Sequence, residues 1–147
     1  MKRLSPPVAP RWEHFPHGAD VGIRGVGPTL DAALEQAALA LTAVITEPRR
    51  VEARETIEIS CEAPGAEELL FDWIDAIVYE MSTRGMLFGE FSVRVAGNRL
   101  TARLRGEPVD RARHEPAVEV KGPTFTQLLV SHDAAGGQWV AQCVVDV

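Results

Sequence analysis

The stretch HGADVGIRGVG, residues 17–27, places a short polar turn directly before an alternating apolar run. Val21 and Ile23 are spaced like the inward positions of a half-buried β-strand, and Asp20 stands at the start of that strand. Glycines occupy positions 18, 22, 25 and 27, a density that indicates bulges or a close approach of another backbone. Asp20 is explained either by the turn or by a ligand that it binds, and the stretch alone leaves both explanations open.

A helix is predicted after this strand, in the segment LDAALEQAALALTAVI. Thr29 is a suitable N-cap, and Asp31 lies in the first turn, where the helix dipole favours a negative charge. The many alanines allow this helix to sit close on a sheet, and Pro48 ends it. The apolar residues that share one face at helical spacing are Leu30, Leu34, Ala37, Leu41 and Val44.

A second helix is predicted in AEELLFDWIDAIVYEMSTR, and Gly85 is a natural residue to end it. Its apolar stripe repeats at every fourth residue, through Leu69, Trp73, Ile77 and Met81. The opposite face carries three carboxylates, those of Glu68, Asp72 and Asp75. A solvated polar face explains these carboxylates better than a catalytic cluster does, and Trp73 is read as a core residue.

Strand patterns dominate the rest of the chain. TIEIS alternates, and five strand-like segments follow the second helix: EFSVRVA, LTARLR, AVEVKG, FTQLLVSH and WVAQCVVDV. Gly97-Asn98 is a two-residue hairpin signal between the first two of them. About seven strands and two helices in this order predict an α+β single domain, a mixed or antiparallel sheet with two helices packed on one face. Residues 1–10 are predicted to be a flexible N-terminal lead, and residues 11–147 to form the domain.

The composition is that of a globular domain, with 147 residues, 46% of them hydrophobic and 24% charged. A formal net charge of −6 excludes binding of nucleic acid through overall charge. Cys61 and Cys143 lie far apart, so neither a disulfide framework nor a zinc site is expected. The sequence has no secretory signal and no run of about 18 apolar residues, so we expect a cytoplasmic protein that does not span a membrane.

Common catalytic motifs are missing from the sequence. It contains no GxxxxGK(S/T) phosphate loop, no HExxH motif and no GxSxG nucleophile elbow. Gly25 and Gly27 begin a GxGxxG pattern, but Leu30 stands where the third glycine would be. The four histidines are scattered along the chain, at positions 14, 17, 114 and 132, and the sequence offers no nucleophile–base pair.

The segment 94–121 reverses the acidic trend, with seven Lys and Arg residues against four Asp and Glu residues. Within it, Arg99, Arg103 and Arg105 share one face of a predicted strand, because side chains alternate along a strand. The simplest interpretation is the wet face of a half-buried strand. The functional interpretation is a docking surface for RNA phosphate or for an acidic partner.

The last segment, WVAQCVVDV, keeps β-branched residues up to its final position, so we predict that it is docked in the fold. It places two carboxylates side by side, the side chain of Asp146 and the α-carboxylate of Val147. Two such groups repel each other unless a cation or a basic residue lies between them. Hard oxygen ligands of this kind suit calcium, magnesium or manganese, and a salt bridge to an arginine is an equally good explanation.

Several segments together resemble the archease family. HGADVGIRGVGPTLDAALEQAALALTAVITEP resembles the family's first motif, close to H-T-A-D-V-G-I, and the long Ala/Leu helix after it. ELLFDWIDAIVYEMSTRGMLF resembles the second helix and the following strand. EPVDRARHEPAVEVKGPTF and the terminal VVDV resemble later segments, so the resemblance covers most of residues 12–147 in order.

The resemblance implies a fold built around a strand–helix–strand–strand module, and a function without catalysis. Archeases are small cytosolic proteins that assist RtcB-type RNA ligases, which use GTP and a divalent metal in tRNA splicing and RNA repair. They promote guanylylation of the ligase and its multiple turnover. The family's metal site, carried over to this sequence, corresponds to Asp20, Asp146 and the carboxylate of Val147.

Partner contacts are expected at His17, the histidine of the first motif, and at the arginine face of Arg99, Arg103 and Arg105. The sequence departs from the family pattern twice: Gly18 replaces a threonine, and Thr126 replaces the histidine of a T-Y-H motif. The second departure leaves this chain without the family's histidine at that position.

Two other functions remain open at this point. One is a chaperone-like modulator of a tRNA methyltransferase, which has also been proposed for the family, with tRNA involved only indirectly. The other is a stand-alone metal-dependent enzyme that uses Asp20 and Asp146 as paired carboxylates. The oligomeric state is not predicted.

Overall fold

The computed structural model describes residues 8–147, so most of the predicted N-terminal lead, residues 1–7, lies outside the described part of the chain. The helices are α1 (Leu30–Ile45), α2 (Ala66–Arg84) and the short α3 (Arg111–His114), with a 3-10 turn at Pro48–Arg50. The strands are β1 (Arg11–His17), β2 (Asp20–Gly27), β3 (Glu55–Glu62), β4 (Met86–Ala96), β5 (Arg99–Pro108), β6 (Gly122–Pro123), β7 (Leu129–Asp133) and β8 (Gln138–Asp146).

The strands form two antiparallel sheets. The five-stranded sheet has the order β1-β2-β8-β6, and β7 also pairs with β8. The three-stranded sheet has the order β3-β5-β4, and its β4–β5 hairpin turns at Gly97-Asn98 as predicted. The α+β class is therefore confirmed, but the strands lie in two sheets where the sequence predicted one.

Helix α1 joins the two sheets. Thr29 caps it as predicted, since its Oγ1 accepts a hydrogen bond from the Ala32 N–H at 3.0 Å. Every residue from Leu30 to Ile45 is buried or half-buried, because the helix packs on β2 and β8 on one side and along β4 on the other. A helix enclosed in this way needs mainly apolar or small side chains, which explains its alanines.

The glycines of β2 permit that packing. A Cβ at Gly25 would lie 2.0 Å from the Ala33 carbonyl oxygen and 2.3 Å from the Ala37 nitrogen. A Cβ at Gly27 would lie 2.7 Å from the Ala32 Cβ. The backbone of α1 therefore lies directly on these two positions, and the predicted close approach is confirmed.

Helix α1 also covers the outer edge of β4. Glu35 accepts a hydrogen bond from the Val93 N–H at 2.8 Å, and Asp31 accepts one from the Val95 N–H at 3.1 Å. Desolvation at this place raises the pKa of Glu35, although the bond from Val93 opposes the rise. The two carboxylates occupy backbone donors that an edge strand would otherwise leave open to another chain.

Helix α2 is amphipathic as predicted. Leu69, Trp73 and Ile77 are buried, and the Trp73 Nε1–H donates to the Leu34 carbonyl of α1 at 2.9 Å. Gly85 ends the helix with φ +63°. The acidic residues Glu68, Asp72 and Asp75 are exposed, so the interpretation of a solvated face is confirmed. None of the helices within residues 8–147 is long and apolar enough to cross a membrane.

Two strand predictions were wrong in part. Of the segment 117–122 only Gly122 belongs to a strand, because the Ala117 N–H bonds to the Ile45 carbonyl and the Lys121 N–H to the Asp146 carbonyl. These bonds run to α1 and to β8, so the segment bridges two elements. The strand predicted over 125–132 begins only at Leu129, since Gln127 has φ +55° and interrupts the extended backbone.

Candidate functional site

Asp20 begins β2 immediately after the tight turn that joins it to β1. The strand pair places His17 opposite Asp20 across a two-residue connection. Gly18 lies in this connection with φ +60°, and a Cβ there would meet no atom within 4 Å. The glycine that replaces the family's threonine is thus suited to the left-handed backbone of the turn, and Asp20 is partly buried beside it.

Strand β8 brings the end of the chain to Asp20. Val21 pairs with Val145, and the same register continued by one residue sets Asp20 opposite Asp146. The Val147 N–H donates to the Asp20 Oδ1 at 3.4 Å. The structure therefore brings together all three predicted metal-site residues at one end of the five-stranded sheet.

These carboxylates have no cationic partner nearby. Within residues 8–147, no Lys, Arg or His nitrogen lies within 4.0 Å of the Asp20, Asp146 or terminal carboxylate oxygens. The salt bridge considered for Asp146 and Val147 is thus not seen in this part of the chain. Carboxylates gathered at one end of a sheet without a basic partner favour the binding of a cation.

The donor set decides which cations fit. Carboxylate oxygens are the ligands of calcium, magnesium and manganese rather than of softer metals. In the described part of the chain, no three His, Cys, Asp or Glu side chains gather as metal ligands. No third side chain of these types thus joins Asp20 and Asp146, and the carboxylate of Val147 is the third ligand expected from the sequence. Asp146 is exposed and Val147 half-buried, which leaves one side open to water or to a partner.

Two further residues lie on strands or loops beside this end of the sheet. His17 is exposed and pairs with Asp20 across the turn. Thr126 is exposed in the loop before β7, and its carbonyl accepts the Val144 N–H of β8 at 3.1 Å. The backbone of Thr126 thus extends the pairing of β8. The exposed side chain of Thr126 is not required by this pairing.

The predicted arginine face is exposed on the three-stranded sheet. Arg99 and Arg103 are exposed and Arg105 is half-buried. Arg103 pairs with Glu58 at 3.3 Å and Arg105 with Glu90 at 3.8 Å, so two of the three arginines have a carboxylate partner.

Arg94 belongs to the same face and was missed by the sequence analysis. It pairs in register with Thr101 on β5, and it is exposed. The hairpin at Gly97-Asn98 fixes this register, so counting back from the turn would have placed Arg94 beside the other arginines.

A buried ionic network was also not predicted. Glu107 is 1% exposed and accepts bonds from Arg113 Nη1 at 2.8 Å and Nη2 at 2.6 Å. It also accepts the Glu52 N–H at 2.6 Å and lies 3.0 Å from His114 Nε2. The bonds from Arg113 hold the pKa of Glu107 well below its usual range, against the opposing effect of burial.

The role of this network is structural. The Asp110 N–H donates to His114 Nδ1 at 2.8 Å, so the ring carries its proton on Nε2 and donates it to Glu107. Every polar atom of the His114 ring is thus satisfied inside the protein. The network ties α3 to the end of β5 and leaves no group free for chemistry.

Comparison with known proteins supplies relatives over almost the full chain. The model of the Archease protein family (MTH1598/TM1083) matches residues 12–147. Protein archease of Thermococcus gammatolerans is 38% identical over 141 residues, which are 93% of this chain and 99% of the relative. Protein archease of Pyrococcus furiosus is 37% identical over 141 residues, with the same shares. The solution structure of protein 1598 of Methanobacterium thermoautotrophicum has a TM-score of 0.80 at 28% identity and covers 92% of this chain and 98% of that one.

Proposed function

The chain belongs to the archease family, and on that premise we propose that it activates an RtcB-type RNA ligase. In this role it promotes the GTP-dependent guanylylation and the multiple turnover of the ligase in tRNA splicing and RNA repair. One observation carries the proposal: Asp20 and Val147, far apart in sequence, are joined by a hydrogen bond of 3.4 Å beside the exposed Asp146. Such an exposed carboxylate group fits a protein that completes a partner's site better than one with a pocket of its own.

Asp20, Asp146 and the Val147 carboxylate would hold a calcium, magnesium or manganese ion. When bound, a divalent cation neutralises charge on nucleotide phosphates, which is the chemistry that guanylylation requires. Asp20 is held in place by its bond from the Val147 N–H, while Asp146 is exposed. Because Asp20 is fixed and Asp146 is exposed, a partner can contact these carboxylates without the unfolding of any strand.

The positions of the histidines support an accessory role without catalysis. His114 is buried against Glu107, His14 Nε2 lies 2.8 Å from the Ala40 carbonyl, and His132 stacks on Trp139 with the ring centroids 4.2 Å apart. Of the four, His17 alone lies next to a candidate ligand in the strand pairing. We propose that His17 and the arginine face contact the ligase or the RNA that it holds.

The test is a single-turnover guanylylation assay of the RtcB-type ligase from the same organism, with catalytic amounts of this protein. We expect the parent to accelerate guanylylation, and Asp20→Ala and Asp146→Ala to abolish the acceleration while remaining folded. Asp72→Ala is the matched control, because Asp72 is equally acidic and exposed but lies on α2. Absence of acceleration by the parent at every metal concentration would overturn the proposal.

Metal binding has a separate readout in thermal unfolding. A ligand at a hundred times its dissociation constant stabilises the folded state by about 2.7 kcal/mol. We expect calcium, magnesium or manganese to raise the melting temperature of the parent, and not that of Asp146→Ala or of a chain extended by a few residues after Val147. Equal shifts in all three proteins would show that the ligand set is wrong.

The partner is identified independently by a pull-down with this chain as bait. Recovery of the ligase supports the proposal. Recovery of a tRNA methyltransferase in its place would favour the chaperone-like role. Thr126→His, tested in the guanylylation assay, measures what the departure from the family histidine costs in activation.

A further inference from the structure

The three-stranded sheet has one face that none of the helices covers. Side chains on this face, called the arginine sheet face below, alternate with the core residues of each strand. They are Thr56, Glu58, Ser60 and Glu62 on β3, Arg99, Thr101, Arg103 and Arg105 on β5, and Glu90, Ser92, Arg94 and Ala96 on β4. The face therefore consists of hydroxyls, arginines and glutamates, with alanine as its largest apolar residue.

The positive charge of this face is unevenly neutralised. Glu58 and Glu90 pair with Arg103 and Arg105, at 3.3 and 3.8 Å. Arg94 and Arg99 have no carboxylate oxygen within 4.0 Å among residues 8–147. On β4, Ala96 lies opposite Arg99 and Arg94 lies opposite Thr101, so the two arginines are diagonal neighbours with Cα atoms about 7–8 Å apart by the usual geometry of such pairs. On β3, Glu62 lies opposite Arg99 in the register but forms no ion pair with it.

A depression of about 590 Å³ lies on the same face. Its lining includes Arg94 and the ion pair of Arg103 with Glu58, together with the hydroxyls of Ser60, Ser92 and Thr101. Arginine forks and hydroxyl donors are the groups that bind phosphate oxygens. Small side chains at the centre with arginines beside them leave room for a chain of phosphates to lie across the strands.

We propose that the arginine sheet face binds the phosphodiester backbone of single-stranded RNA, with Arg94 and Arg99 each contacting a phosphate. Ser60, Ser92 and Thr101 donate hydrogen bonds to the same backbone. No aromatic side chain belongs to the face, so stacking of bases on aromatic rings does not contribute and binding is independent of sequence. The assignment of RNA, among polyanions, rests on the proposed function, an accessory role for an RNA ligase.

The composition of the face argues against a protein partner at this place. Hot spots of protein interfaces are enriched in Trp, Tyr and Arg, and this face has the arginines but neither of the two aromatic residues. The exposed large apolar residues of the described chain lie elsewhere, for example Phe125 and Tyr79, 75% and 63% exposed. The face carries four arginines against three glutamates, so what it offers a polyanion is the two arginines that form no ion pair within the part of the chain that the structure describes, with hydroxyl donors beside them.

Fluorescence anisotropy of a fluorescein-labelled 20-nucleotide single-stranded RNA tests the proposal. Two phosphate contacts give a slope of about −1.4 in log affinity against log salt, so a rise from 50 to 200 mM salt weakens binding about sevenfold. We expect the double variant Arg94→Ser/Arg99→Ser to lose at least tenfold in affinity at 50 mM salt and most of the salt dependence. Glu58→Gln, which removes a negative charge from the face, is expected to bind more tightly than the parent.

Arg49→Ser is the matched control, because Arg49 has a side chain 93% exposed but lies on the 3-10 turn, away from this face. It is expected to bind RNA as the parent does. No binding by the parent at 50 mM salt, or equal binding by the double variant, would overturn the proposal. If the double variant instead loses ligase activation although the parent binds no RNA, the face docks a protein and the proposal is also wrong.

The outcome is separable from that of the proposed function. Asp20→Ala removes a candidate metal ligand on the other sheet and is expected to leave RNA affinity unchanged. Guanylylation without RNA binding would refute only the RNA face. RNA binding without acceleration of guanylylation would refute only the role in ligase activation.

Discussion

Replacing Gly25 by alanine tests how far the fold depends on contact between β2 and α1. The new Cβ would stand 2.0 Å from the Ala33 carbonyl oxygen, whereas ordinary contact begins at 3.4 Å. The helix backbone must therefore retreat by about 1.4 Å. Because the obstacle is backbone and not the end of a flexible side chain, rotation about a side-chain bond cannot relieve it.

The displacement carries a second cost at the far side of the helix. Asp31 and Glu35 accept the Val95 and Val93 N–H groups at 3.1 and 2.8 Å, and both bonds are distorted when α1 is pushed from β2 toward β4. Overpacking costs about 1–3 kcal/mol, and a hydrogen bond to a charged group is worth about 1.5–3 kcal/mol. We expect Gly25→Ala to lower the free energy of unfolding by about 3 kcal/mol.

Urea unfolding followed by the fluorescence of the buried Trp73 measures this loss. Gly122→Ala is the control, since the nearest atom to its Cβ is the Asp75 Oδ1 at 3.9 Å, and its effect should stay within about 0.5 kcal/mol. Gly22→Ala is intermediate, because its Cβ meets only the ring of Phe15, which can turn aside. If Gly25→Ala were as stable as the control, the close packing of α1 on β2 would be refuted. If Gly25→Ala fails to fold, Gly27→Ala decides, because its Cβ would lie 2.7 Å from the Ala32 Cβ of α1; stability equal to that of the control would again refute the close packing.

Two further predictions concern titratable groups. The folded-state pKa of Glu107 lies below its ordinary value of 4.5, so its stabilisation is complete above that pH and is lost as the pH falls below it. Between pH 5 and pH 3, the urea midpoint of the parent should fall more steeply than that of Glu107→Gln; parallel curves would contradict this. Burial raises the pKa of the Cys143 thiol to about 12, so in native protein at pH 8 iodoacetamide should leave it unmodified while the half-buried Cys61 reacts slowly. Rapid alkylation of Cys143, detected by mass spectrometry, would show that β8 opens readily.

The local elements could be predicted from the sequence because short-range signals determine them. The Thr29 cap, the stripe through Trp73 and the turn at Gly97-Asn98 each depend on neighbouring residues, and all three are present in the structure. The division into two sheets could not be predicted. It depends on α1 being enclosed on two sides, and an alanine-rich helix is compatible with one covering sheet or with two.

The residues of the candidate site also fall into those that local sequence indicated and those that it did not. The sequence alone indicated the carboxylate pair of Asp146 and Val147, since they are adjacent in the chain. Asp20 was assigned by the family resemblance, because pairing across 127 positions leaves no periodic signal. Lys121 and Ala117 illustrate the opposite error. The alternation of this segment is typical of a strand. The Ala117 N–H, however, bonds to the Ile45 carbonyl at the end of α1, and only the Lys121 N–H bonds to a strand, at the Asp146 carbonyl.

The position of β8 between β2 and its neighbours β6 and β7 predicts the order in which the two sheets form during folding. The β4–β5 hairpin closes over two residues, so it can form early and at small entropic cost. The pairing of Val21 with Val145 must close nearly the whole chain, which makes the five-stranded sheet the slow step. Until β8 inserts, β2 presents an unpaired edge, and Asp20 and Val147 remain apart. The carboxylates of Asp20, Asp146 and Val147 are thus expected to come together in the last stage of folding. A cation bound by them would stabilise the folded state.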